Sequence, residues 1–203
     1  MGSTGTVHGN GPASDWIQRW APLIPAGARV LDVACGAGRH ARLMAARGCQ
    51  VTAVDRDAAA IEALAAHGAL TPVAGHQAPE IRTVIADIES GPWPLEGEQF
   101  DALIITNYLW RPLWPTLLGS LREGGVLLVE TFALGHERLG RPSNPAFLLR
   151  PGELLEVAHG LHVLAFEDGL LDDPPRRIQR VAARRPQGSD VAGRGDLPLN
   201  PPR

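Results

Sequence analysis

The chain has 203 residues, a length that suits one domain with a real core, and its 44% hydrophobic and 20% charged content excludes a disordered protein. The formal net charge of −3 speaks against a dedicated nucleic-acid surface, because such surfaces are visibly basic. All 19 basic residues are arginine, so no Schiff-base lysine, lysine base or phosphate-loop lysine is available.

Met1 to Pro12 is Gly, Ser, Thr and Asn without apolar periodicity and reads as a flexible segment ahead of a domain over 13–185. Ser14 or Asp15 is expected to cap a short helix through Trp16, Ile17 and Trp20, which Pro22 and Pro25 end. Val30 to Val33 reads as a buried strand. The chain then turns through Gly36 and Gly38 into an alanine-rich helix ending near Arg47. Gln50 to Val54 is a second strand ending in Asp55, and Asp57 caps a helix through Ala66. A polar link, Gly68 to Pro79, leads to a third strand, Ile81 to Ile85, followed by Ala86-Asp87-Ile88. Phe100 to Thr106 is a continuous apolar run of the kind covered on both faces of a parallel sheet. A helix is expected from Pro112 to Arg122, and Gly124 and Gly125 turn the chain into a fifth strand, Val126 to Thr131.

The segment Phe132 to Arg150 has no clear periodicity and is long for a loop in a compact domain, which marks it either as an acceptor wall or as a passive cover. A helix over Gly152 to His159 precedes two last strands, Leu161 to Phe166 and Arg177 to Ala183. Their short link at Asp172-Asp173-Pro174-Pro175 makes them antiparallel. From Pro186 onward, Gly, Pro and charge read as a disordered tail over 186–203. The expected fold class is therefore α/β: a Rossmann-like, seven-stranded, mostly parallel sheet with helices on both faces and a final antiparallel pair. Ligands of such sheets bind at the C-terminal strand ends where strand order reverses.

Cys35 and Cys49 form no CxxC and give no metal-ligand spacing, so no metal is expected and both read as reduced, buried thiols. No stretch is long and apolar enough for a membrane helix and no signal pattern opens the chain, so a cytoplasmic location without a membrane partner is expected.

The glycine turn after the first strand lets backbone N–H groups approach a ligand, and Asp55 at the tip of the second strand can accept both hydroxyls of a ribose. These features alone fit a nicotinamide dinucleotide as well, since Gly36-Ala-Gly-Arg-His-Ala41 satisfies a loose G-x-G-x-x-A fingerprint. Three stretches decide otherwise. Leu31-Asp32-Val33-Ala34-Cys35-Gly36-Ala37-Gly38 resembles motif I of the class I S-adenosylmethionine (SAM) methyltransferases, hydrophobic-Asp-x-x-x-Gly-x-Gly. Ala86-Asp87-Ile88 resembles that family's adenine-recognition motif. Leu121-Arg-Glu-Gly-Gly-Val-Leu resembles its turn into strand five, with Glu123 where proline is usual. Asn107-Tyr-Leu-Trp-Arg-Pro-Leu113 and Arg141-Pro-Ser-Asn-Pro-Ala-Phe147 look like a bacterial group close to the tellurite-resistance methyltransferases.

The resemblance implies SAM as cofactor, S-adenosylhomocysteine as product and a small-molecule acceptor. Gly36 and Gly38, with Ala34, would meet the methionine and ribose portions. Asp32 would lie near the methionine ammonium, and Arg39 or His40 would face the carboxylate. Asp55, with Arg56 beside it, would hold the ribose; Asp87 would accept the adenine amine, and Ile88 would pack on the ring. Asn107 stands where the transferable methyl is approached, and the helix carrying Trp16 is a lid candidate, although both tryptophans equally suit packing on the sheet. Methyl transfer from a sulfonium needs no compulsory base, and Tyr108 and His136 are the candidate catalytic residues. An RNA or protein methyltransferase, an NAD-dependent oxidoreductase and a non-catalytic protein of this fold are the alternatives; nothing in the pattern sets an oligomeric state.

Overall fold

A computed structural model describes residues 11–66 and 81–188. Residues 1–10 of the expected flexible start over 1–12, the link Gly68 to Pro79 and residues 189–203 of the expected tail over 186–203 lie outside the described residues. In chain order the elements are α1 (Asp15–Trp20), β1 (Arg29–Val33), α2 (Arg39–Ala46), β2 (Gln50–Asp55), α3 (Ala58–Ala65), β3 (Ile81–Ile85), β4 (Phe100–Thr106), α4 (Trp114–Ser120), β5 (Leu121–Phe132), α5 (Glu153–Val157), β6 (His162–Asp172) and β7 (Pro175–Arg184). The strands form one seven-stranded sheet in the order β3-β2-β1-β4-β5-β7-β6. β1 pairs in parallel with both β2 and β4, so order reverses there. β5–β7 and β7–β6 are antiparallel, and the expected architecture holds.

Alternation along the strands splits the core into two layers. Val30, Ile104 and Leu128 pack under α1, α2 and α3 with Trp16, Met44 and Ile61. Leu31, Leu103, Ile105 and Leu127 face the opposite layer with Leu117 and Leu154. Asp32 is flanked by Ala53 and Ile104 across the ladders and so lies on the first of these faces.

Two elements differ from expectation. The helix expected from Pro112 to Arg122 is only the seven-residue α4, because Leu121 already pairs with Phe100. Gly125 sits where an added Cβ would lie 2.8 Å from the Arg122 carbonyl oxygen and 3.1 Å from that of Asp101, so the bulge within β5 between Leu121 and Val126 requires glycine. The last two strands are longer than their apolar runs. β5 ends where Phe132 pairs with Ile178, and the hairpin over Leu170 to Arg177 projects past it on the side of the parallel strand tips.

The segment 132–150 is stapled down. The Arg111 guanidinium donates to both carboxylate oxygens of buried Glu153 (2.6 and 2.9 Å) and to the carbonyls of Ala146 (2.7 Å) and Leu148 (2.9 Å). Glu153 also accepts from Arg150 N–H (2.7 Å), and the Gln179 amide donates to the Arg150 carbonyl (2.6 Å). Burial raises the Glu153 pKa, but the hydrogen bonds from Arg111 and Arg150 outweigh it and hold the carboxyl below its ordinary value. Glu153→Ala is expected to cost about 2–3 kcal/mol, because it strands a partly buried guanidinium. The loss should shrink as pH falls through the Glu153 pKa, where the wild type also loses the pair; urea midpoints at pH 7 and pH 3 measure both.

Candidate functional site at the strand tips

The loop from β1 to α2 holds left-handed backbone at Ala34 (φ 52°), Gly36 (φ 54°) and Gly38 (φ 75°). For Ala34 this conformation costs about 1 kcal/mol and marks a segment the surroundings over-determine. Cys35 N–H donates to the Val54 carbonyl (3.1 Å) and Gly36 N–H to Asp55 Oδ2 (2.7 Å), so the tip of β2 holds the turn. Gly38 has another reason to be glycine: an added Cβ would meet the Leu64 methyls of α3 at 2.5 Å. Its missing side chain serves packing against α3. The Cys35 thiol is buried and pushed up by burial, with Asp32 adding to the shift, so it is inert.

Three carboxylates top three strands, in different states. Asp32 is 1% exposed; Oδ2 accepts from Ala41 N–H (2.9 Å), and Oδ1 has no partner among the described residues. Burial pushes its pKa up to about 7, against the Ala41 N–H and the Arg39 charge. Asp55 is half-buried; Oδ2 takes Gly36 N–H and Oδ1 takes Asp57 N–H (2.9 Å), which leaves lone pairs on both oxygens. Asp87 is exposed and caps its own turn. It accepts from the Ser90 hydroxyl (2.6 Å) and from the N–H groups of Glu89 (2.9 Å) and Ser90 (3.2 Å), and these hold it below its ordinary pKa. Ile88 beneath it is buried in the second core layer. Arg56 is exposed and reaches Glu89 at 3.9 Å.

The geometry gives His40 and His136 partners within the fold. Ser14 N–H donates to His40 Nε2 (3.1 Å), so the ring proton is on Nδ1 and meets Thr106 Oγ1 (3.2 Å). Burial, with Arg39 alongside, pushes the His40 pKa down to about 3; a neutral ring with both nitrogens engaged offers a carboxylate no charge. Buried His136 has Nε2 at 3.0 Å from the Arg141 carbonyl and Nδ1 at 3.4 Å from Arg177 N–H, and its ring lies on Phe132 with centroids 4.3 Å apart. It pegs the 132–150 segment to β7, and no ring nitrogen is left to act as a base. Trp16 has its partners within the fold as well. Its side chain is 1% exposed, Nε1 donates to the Val181 carbonyl (3.4 Å), and Arg180 stacks on the ring at 4.8 Å, so it packs on the sheet as large aromatics do.

Tyr108 follows Asn107, whose φ of 53° turns the chain at the tip of β4 while its N–H donates to the Glu130 carbonyl (2.9 Å). Burial drives the Tyr108 phenol above its ordinary pKa, and Glu89 adds to the shift, so it keeps its proton at neutral pH and is a poor base. Arg39 is half-buried, its pKa lowered by burial, with Glu130 attracting and Arg176 repelling it, and it donates to the Pro12 carbonyl (3.4 Å).

Glu130 is the residue that sequence reasoning missed. It is 1% exposed at the tip of β5; the Ser14 hydroxyl donates to Oε1 (2.9 Å) and Arg180 to Oε2 (3.2 Å). A carboxylate ending the apolar run Val126–Val129 was the available signal. Ser14 also caps α1, accepting from Trp16 N–H (3.2 Å), and so ties the start of the domain to α2 and β5. The projecting hairpin carries a shallow, half-open depression of ≈ 200 Å³ lined by Glu167, Leu170, Leu171, Ile178 and Arg180. Chemically, the strand tips offer an unfilled buried acceptor to a cation and open carboxylate lone pairs to hydroxyls.

The family model for a methyltransferase domain matches residues 30–125. The tRNA U34 carboxymethyltransferase of Alcanivorax borkumensis is 33% identical over 130 residues, which cover 60% of this chain and 38% of that protein. The ubiquinone biosynthesis O-methyltransferase of Xanthomonas axonopodis pv. citri is 31% identical over 81% of this chain and 74% of its own length. TehB from Haemophilus influenzae superposes with a TM-score of 0.64 at 20% identity, over 84% of this chain and 61% of that one. The chain thus spans less than two thirds of the first of these relatives and of TehB. Among the described residues no helix is long and apolar enough to cross a membrane. The match runs from β1 through the glycine turn into β5, the stretch that builds the carboxylate-tipped strands, and the chain belongs to the S-adenosylmethionine-dependent methyltransferases.

Proposed function

We propose that this protein transfers a methyl group from SAM to a small-molecule acceptor at the tips of β1, β2 and β4. The observation that carries the reading is the buried, unpartnered Oδ1 of Asp32, one strand away from the open carboxylate of Asp55. When bound, the cofactor supplies a methyl group on a positively charged sulfur, already activated for in-line displacement. The chain's part is to hold, orient and exclude water. Asp32 gives up its proton and receives the methionine ammonium; a charged donor fills a site that is costly to leave empty. Asp55 accepts the ribose hydroxyls while it keeps the Gly36 turn in place. The left-handed backbone at Ala34 and Gly36 lets main-chain groups approach. Asp87 keeps acceptor capacity toward the adenine amine above Ile88, though its first duty is the turn. Arg39 stands at the methionine carboxylate.

The wall 132–150, stapled down by Arg111 and Arg150, suits a small acceptor better than a macromolecule. The ubiquinone biosynthesis relative, whose name gives a small-molecule pathway, supports the same choice. A cytoplasmic setting accords with both. Calorimetry with S-adenosylhomocysteine should give one-to-one binding, and the reading fails if no heat is detected. A panel of thiols, phenols, tellurite and selenite, with S-adenosylhomocysteine release as readout, then identifies the acceptor.

A further inference from the structure

We propose that Tyr108 reads the adenosine end of the cofactor, donating its hydroxyl hydrogen to a purine ring nitrogen, and does not act on the acceptor. This rests on the methyltransferase reading above. The Tyr108 ring packs on the layer that contains Ile88, Leu95 and Leu109. Its hydroxyl is buried and has no partner among the described residues. The charged groups within electrostatic reach of that oxygen are Glu89, Arg56, Asp87 and Asp55, all at the ends of β2 and β3. Tyr108 follows Asn107 at the tip of β4, and its ring packs against the layer that holds Ile88 from the tip of β3.

Chemical complementarity selects its role. Adenine presents one donor, the exocyclic amine, and several ring-nitrogen acceptors. Asp55, Asp87 and Glu89 are acceptors only, and they match the amine and the ribose hydroxyls. Arg56 is largely exposed and turned to Glu89. Among the described residues the phenol is a buried, unpaired side-chain donor on this side, and such a hydroxyl gains most by finding an acceptor.

Tyr108 is the only tyrosine in the chain, which makes the test direct. Protein grown on 3-fluorotyrosine carries one fluorine label, so its ¹⁹F resonance reports on this residue alone. It should shift on saturation with S-adenosylhomocysteine and with 5′-methylthioadenosine, and stay in place with homocysteine. Tyr108→Phe should raise the Kd for both nucleosides about fivefold to tenfold and leave the melting temperature of the ligand-free protein no lower than that of wild type. Nucleoside affinities unchanged in Tyr108→Phe, or a fluorine signal that answers to homocysteine and not to 5′-methylthioadenosine, would overturn the assignment. If the wild-type protein binds neither nucleoside, the methyltransferase reading itself falls.

Discussion

Asp32→Asn is expected to make the ligand-free protein more stable at pH 8 and, at the same time, a poorer binder of S-adenosylhomocysteine. The native carboxyl holds its proton up to about pH 7, whereas the unfolded chain releases it near 3.8. Between those values the native state binds more protons than the unfolded one, so this residue's contribution falls as pH rises and levels off above 7. A shift of this size corresponds to about 4 kcal/mol. Asparagine retains an oxygen for the Ala41 N–H and carries no charge to bury. The variant and wild type should therefore unfold at similar urea concentrations at pH 4, and the variant should gain several kcal/mol at pH 8.

Binding runs the other way. A ligand ammonium favours the ionised carboxylate, so wild-type affinity should rise by up to about tenfold per pH unit below pH 7, with a proton released on binding. Buffers of different ionisation enthalpy read that proton in a calorimeter. Asparagine should lose both the affinity and the slope. A variant that keeps the wild-type pH dependence of binding removes Asp32 from the site.

Asp55→Ala should abolish most cofactor affinity, by about 100-fold or more. Two charge-assisted hydrogen bonds to a ribose are together worth about 3 kcal/mol or more. The same carboxylate holds Gly36 N–H at 2.7 Å and Asp57 N–H at 2.9 Å, so its loss also loosens the glycine turn and the start of α3. Asp55→Asn separates the two effects. It keeps one oxygen acceptor and should lose affinity by about tenfold, with a smaller fall in melting temperature. Asp87→Ala should cost less than Asp55→Ala, because Asp87 is exposed and its lone pairs already serve Glu89 and Ser90. S-adenosylhomocysteine titrations of the three variants rank them; Asp55→Ala binding within threefold of wild type would exclude the ribose role.

The alternation of strands and helices, the final antiparallel pair and the three acidic tips were legible in the chain because each rests on local pattern. Apolar runs such as Phe100–Thr106 can be satisfied only as covered parallel strands, and an aspartate ending such a run has to sit at a tip. Asp57 as a helix cap is equally local, a side chain bonding N–H groups two and three residues ahead. Partners decided the rest. His40 became a neutral strut because Ser14, 26 positions earlier, donates to it. Glu130 became part of the site because the same Ser14 reaches it across 116 positions. His136 and Trp16 were committed by backbone carbonyls at Arg141 and Val181. The state of a polar side chain depends on what is left to hydrogen-bond it once water has gone, and that inventory exists only when distant segments have met. Local pattern puts the carboxylates at the strand tips; long-range packing selects the one, Asp32, that keeps a buried oxygen unspent.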